Sequence, residues 1–190
     1  MGLQELSCPS LQQERCRHPQ LLAVLWLAAA VGAASLTAFD MTVIGTRRNP
    51  PEHPAPFHAI YPASQTRQAI ADAQSVIIAS HQRGSPPIVD RQIITGLEPG
   101  ALLINVGRGA VLDSDSALEH LTEGRLGGLG LDVYPQEPYP HDGPLLTHPG
   151  VLATAHTAAL TSDYFRAASH RLGEALHHYL KGQPPAHLLN

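Results

Sequence analysis

Short apolar runs alternate with stretches whose apolar residues recur at helical spacing, and this alternation starts near residue 41. Residues 41–45, 58–61, 75–79, 101–105, 126–133 and 151–154 are brief runs rich in Val, Ile, Leu and Ala, the mark of buried strands. Between them lie predicted helices at 64–73, 90–96 and 113–122. Ser64, Asp90 and Asp113 stand at their N-caps, and Gly124 is the stop signal after the third. Residues 161–181 read as a long helix, with Phe165, Leu172, Leu176 and Tyr179 on one stripe. Strands that alternate with capped helices predict an α/β fold with a doubly wound parallel sheet.

Upstream the pattern changes. Residues 1–20 show no periodicity, and residues 21–36 form one apolar run interrupted only by small residues. That run has three readings. Arg15 and Arg17 ahead of it suit a signal peptide. Its sixteen residues suggest a membrane anchor but are short for a span. It also suits a strand at 21–25 followed by an alanine-rich helix of the fold itself. The third is favoured, because the sequence that follows reads as a cytoplasmic enzyme with no new domain start.

Composition narrows the classes. The chain has 190 residues, enough for one good core, and a formal charge of −4 with twelve histidines. That balance gives no basic nucleic-acid surface. Cys8 and Cys16 form no CxxC, and no metal-ligand cluster is expected. His177 and His178 are adjacent on the predicted last helix and so point to different faces.

Candidate chemistry lies just past three of the strands. Residues 102–113 read LLINVGRGAVLD, an apolar run delivering Arg108 between Gly107 and Gly109. In open α/β sheets ligands bind at the carboxyl ends of strands. An arginine there can grip a carboxylate with two parallel hydrogen bonds, and the glycines let substrate and cofactor approach the backbone. Glu137 follows in LDVYPQEP and His156 in HPGVLATAHTA. Arg, Glu and His in these places suit carbonyl–alcohol redox chemistry. Arg108 would hold the substrate carboxylate, His156 would donate the proton, and Glu137 would hydrogen-bond the imidazole and favour its protonated form.

NVGRG, LDVYPQEP and the histidine turn, in this order and spacing, resemble the D-isomer-specific 2-hydroxyacid dehydrogenases, which include glyoxylate/hydroxypyruvate reductases and phosphoglycerate dehydrogenases. The resemblance runs from about Ala38 to Lys181. It implies a Rossmann-like NAD(P)-binding domain over residues 38–160, a divergent segment over 1–37, and a C-terminal helix and tail over 161–190. It also implies hydride transfer between NAD(P)H and a small 2-oxo acid. No nucleic-acid or membrane partner is expected, the chain is expected in the cytoplasm, and the apolar face of the last helix should drive homodimerisation. Asp132 matches the family aspartate that orients the nicotinamide carboxamide, and Gly107 falls on the cofactor side. Arg47 stands where many relatives carry the acidic residue that takes the ribose 2′-hydroxyl. With Arg48 it favours a 2′-phosphate, hence NADP over NAD.

The family pattern also fails in places. No GxGxxG exists in the chain. Counted back without gaps from residues 38–41, its glycines fall on Val24, Trp26 and Ala29, and an indole there would fill pyrophosphate space. The first strand and its glycine turn are therefore expected to be degraded and the domain incomplete. The resemblance stops abruptly before Ala38, the pattern a changed upstream start produces. The segment that builds most of the family's substrate domain is not found. The family's Pro- and Thr-containing hinge reads SHQRGSPP over 80–87, and Ala155 replaces the proline that precedes the histidine. An alternative is a non-catalytic remnant that acts through a dimer surface on the last helix.

Overall fold

The structure, a computed structural model, describes residues 21–25, 40–80, 86–158, 160–161 and 163–184, and for 21–25 the backbone alone. The chain divides into two compact units at the Ala155–His156 bond. The first is built on a seven-stranded sheet of order β3-β2-β1-β4-β5-β6-β7. Its strands are β1 (Leu21–Leu25), β2 (Thr42–Arg47), β3 (Ala59–Pro62), β4 (Ser75–Ile78), β5 (Ala101–Asn105), β6 (Leu126–Leu131) and β7 (Val151–Ala153). All six pairings are parallel. The fold is thus the predicted α/β, Rossmann-like one.

β1 is not degraded in its pairing: Leu21–Leu25 bonds to β2 on one side and β4 on the other. The helix predicted after it, and the turn that would carry Trp26 and Ala29, lie outside the described residues, as does most of the 80–87 departure. Because every strand runs the same way, the carboxyl ends of β2, β5, β6 and β7 share one edge. That edge carries Arg47, Asn105 and the loops after β6 and β7.

Among the described residues this unit has the α-helices α1 (Thr66–Ala69), α2 (Arg91–Thr95), α3 (Ser114–Thr122) and α4 (Pro144–Thr147). The core gathers Ile70, Val76, Ile78, Val89, Ile94, Leu103, Val111, Leu121, Leu129 and Leu131 between sheet and helices. Two predicted caps are made. Asp90 accepts from the Ile93 amide at 2.9 Å, and Asp113 accepts from both the amide and the hydroxyl of Ser116. Gly124 ends α3 at φ +72°, a conformation that costs glycine little.

The helix predicted over 64–73 is shorter, a 3₁₀ turn at Ala63–Gln65 followed by α1. Ser64 makes no capping bond there. Instead the Thr66 hydroxyl bonds back to the Ala63 carbonyl at 2.8 Å and lies 3.2 Å from the Thr46 hydroxyl, so a β2 contact sets where the helix begins.

Replacing Asp113 by alanine should remove both bonds to Ser116 and cost about 1 kcal/mol, as lost N-caps do. Urea unfolding checks it. A midpoint equal to the wild type's would show that the cap contributes nothing.

The second unit holds α5 (Tyr164–Leu180), the helix expected over 161–181. None of its residues is buried, and Phe165 and Tyr179 are 73% and 72% exposed. No helix of the described residues is long and apolar enough to cross a membrane.

Candidate active site

The arginine turn is held from below by its own strand. Asn105, the last residue of β5, is fully buried. Its Oδ1 accepts from the Gly107 amide at 3.1 Å, and its Nδ2 donates to the Arg108 carbonyl at 3.0 Å. An asparagine with both ends of its amide satisfied makes a rigid local turn. Arg108 therefore leaves the sheet with a fixed backbone, while its side chain stays exposed and donates from Nη1 to the Gly107 carbonyl at 2.7 Å.

The two glycines are also contact points between neighbouring loops. A Cβ on Gly107 would sit 2.2 Å from the Ser80 carbonyl oxygen, and one on Gly109 only 1.8 Å from that of Tyr134. The missing side chains make room for the backbones that leave β4 and β6. The Gly107 amide is likewise spent on Asn105.

The loop after β6 carries Asp132, Tyr134 and Glu137. Asp132 is 5% exposed, its amide donates to the Asn105 carbonyl at 3.0 Å, and its Oδ1 accepts from the Thr154 hydroxyl. Tyr134 donates its hydroxyl to the Thr154 carbonyl at 2.7 Å, and its ring stacks on Tyr139 at 5.2 Å. Glu137 is exposed and closes its own turn by accepting from the Tyr134 amide at 3.1 Å.

Burial first, then the nearby carboxylates of Asp132 and Glu137, push the Tyr134 phenol above its ordinary range. The stabilisation from its neutral form is complete below about pH 10, the unfolded value. It is lost as pH rises through the raised folded value.

The predicted site residues are distributed as follows. Arg108 and Glu137 leave neighbouring strands at one edge, their loops in contact through Gly109 and Tyr134. Arg47 closes β2 on the same edge, and its Nε is buried with no hydrogen-bond partner among the described residues. Arg48 is exposed beside it. His156 opens the second unit, in the left-handed region at φ +55°. Asn105, Tyr134 and Thr154 were assigned no role on the sequence. An Asn at a strand end before glycine was a readable turn signal, whereas the bonds of Thr154 to β6 span more than twenty residues of chain and left none.

An orphaned guanidinium donor at the end of β2 suits a bound anion, so the residues present there fit the ribose end of a nicotinamide dinucleotide.

Comparison with known proteins agrees with the motifs. Residues 28–158 match the family described as D-isomer specific 2-hydroxyacid dehydrogenase, NAD binding domain. The match starts ahead of Ala38, where the readable motifs begin, and ends before α5. The chain is similar to glyoxylate/hydroxypyruvate reductase A of Serratia proteamaculans, at 33% identity over 81% of this chain and 49% of that protein. It is also similar to glyoxylate/hydroxypyruvate reductase B of Pectobacterium carotovorum, at 43% identity over 40% of this chain and 24% of that protein. The chain thus spans at most about half the length of these relatives. Its fold is similar to that of a D-isomer specific 2-hydroxyacid dehydrogenase from Xanthobacter autotrophicus, solved with NADPH and MES. The TM-score is 0.79 at 24% identity, over 90% of this chain and 71% of that one. A sequence match covering most of the chain, on a parallel sheet of this strand order, means that the chain belongs to the D-isomer specific 2-hydroxyacid dehydrogenase family through its NAD-binding domain.

Proposed function

We propose that the chain carries the cofactor-side machinery of an NADPH-preferring reductase of small 2-oxo acids, glyoxylate or hydroxypyruvate. The observation that carries this reading is the Arg108 turn. A fully buried asparagine and two glycines packed against neighbouring backbones hold one exposed guanidinium at the ligand edge of the sheet. A bound nicotinamide dinucleotide would supply the hydride. Arg108 grips the substrate carboxylate and draws electron density from the adjacent carbonyl. His156 gives a proton to the carbonyl oxygen, and Glu137 holds the imidazole for that transfer. Asp132 and Gly107 lie on the nicotinamide side. Arg47 and Arg48 meet the 2′-phosphate, consistent with the unpartnered Arg47 Nε and with the NADPH of the Xanthobacter relative.

Cofactor choice tests the Arg47 assignment. Fluorescence titration should give tighter binding of NADPH than NADH. Arg47→Asp should weaken NADPH by roughly tenfold or more, the worth of a hydrogen bond to a charged group. Equal affinities in the wild type would remove the assignment.

Activity tests the whole reading. Purified protein should oxidise NADPH when glyoxylate or hydroxypyruvate is added, and Arg108→Gln should abolish it. Turnover should fall below the ordinary enzyme range of about 1–10³ s⁻¹, because the sequence holds no GxGxxG and a gapless register puts Trp26 at a cradle glycine. Failure to bind NADPH would end the reading. The second reading, a non-catalytic module that pairs with another copy through α5, is favoured by the lack of a GxGxxG motif in the sequence. It also draws support from the exposed Phe165, Leu172, Leu176 and Tyr179. It predicts self-association with no dinucleotide binding.

A further inference from the structure

Every backbone and side-chain polar group of Thr154 is taken by the strand and loop next to it. Its amide donates to the Leu131 carbonyl at 2.8 Å, its hydroxyl donates to Asp132 Oδ1, and its carbonyl accepts from the Tyr134 hydroxyl at 2.7 Å. Three residues of one short segment, 131, 132 and 134, thus hold a single residue at the end of β7. The same segment runs on into Glu137, and Thr154 stands two residues before His156. One link further back, the Asp132 amide bonds to Asn105, whose side chain holds the Arg108 turn.

We infer that Thr154 is a positioning residue of the candidate site, and that the buried Asp132 carboxylate acts through it rather than on the cofactor alone. The inference rests on the proposed reductase reading and adds a residue to it. Its physical basis is the cost of loosening. A β7 end tied at three points has one place to be, and so has the segment after β6 that carries Asp132 and runs on into Glu137. An alkyl group in place of the hydroxyl leaves a carboxylate that is 5% exposed short of a donor, and the strand end then loosens towards solvent.

The test compares Thr154→Val, which keeps the shape and removes the donor, with Thr154→Ser, which keeps the donor. Thr154→Val should lower kcat for NADPH-dependent glyoxylate reduction by roughly 5- to 30-fold, the effect of one lost, part-buried hydrogen bond to a carboxylate. KM for NADPH should stay within about twofold, since the remaining cofactor contacts are untouched. Thr154→Ser should restore kcat. In a double-mutant cycle, Thr154→Val should add little to Asp132→Ala.

Amide hydrogen exchange gives a readout that needs no activity. Thr154→Val should speed exchange across residues 131–137 and 153–155 and leave β2 as it was. Additive effects of Asp132→Ala and Thr154→Val, or a Thr154→Val protein with wild-type kcat, would overturn the inference. If the wild type itself proves inactive, the reductase reading falls and exchange decides alone: unchanged protection around Thr154 overturns the brace.

Discussion

Gly109→Ala is expected to be the most destabilising single methyl that can be added at the described glycines. Its Cβ would stand 1.8 Å from the Tyr134 carbonyl oxygen and 2.0 Å from the carbon, both backbone atoms that cannot rotate away. Overpacking ordinarily costs 1–3 kcal/mol when side chains can give. Here two backbones must separate, and about 4 kcal/mol or more is expected, in the range of exceptional point mutants. For a chain of this size that lowers Tm by roughly 10 °C. The same substitution at Gly173, in the exposed middle of α5 with nothing within 4 Å, should stabilise by about 0.5–1 kcal/mol through helix propensity. Thermal unfolding of the two variants side by side checks both. A Gly109→Ala protein that melts with the wild type would mean the β5 and β6 loops are not in contact.

The second large effect concerns chemistry. His156→Gln should cut NADPH-dependent reduction of glyoxylate by roughly 10²- to 10⁴-fold, the usual loss when a positioned acid is removed. NADPH binding should hold within about twofold, because the residue is assigned to the carbonyl and not to the dinucleotide. Folding should also hold: His156 is exposed and lies outside the sheet unit. Single-turnover mixing gives the sensitivity a slow enzyme requires. A variant that reduces glyoxylate at the wild-type rate would take the proton-donor role away from His156.

The strand ladder was legible because each strand is an apolar run bounded by polar or glycine residues. β5 begins and ends where its run does, at Ala101 and Asn105. Asp90 and Asp113 were legible as caps because a cap is a bond three residues long, written within one turn of chain. Ser64 looked the same and made no such bond, since Thr66 is engaged with its own turn and with Thr46, twenty residues away.

The motif residues Arg108, Glu137 and His156 were legible in the same local way, by residue type just past a strand. So was the arginine pair at the end of β2, though not the burial of the Arg47 Nε without a partner among the described residues. What only the tertiary structure decided is how the strand ends lean on one another. Gly107 and Gly109 read as openings for ligand, and the fold adds that they are contact points for the backbones that leave β4 and β6. Asp132 read as a cofactor contact, and the fold adds that its carboxylate accepts from the Thr154 hydroxyl just past the next strand. Sequence patterns report periodicity and hydrogen bonds that close within a turn. Bonds and close approaches between parallel strands join residues separated by a whole crossover, and no local spacing encodes which atoms will meet there.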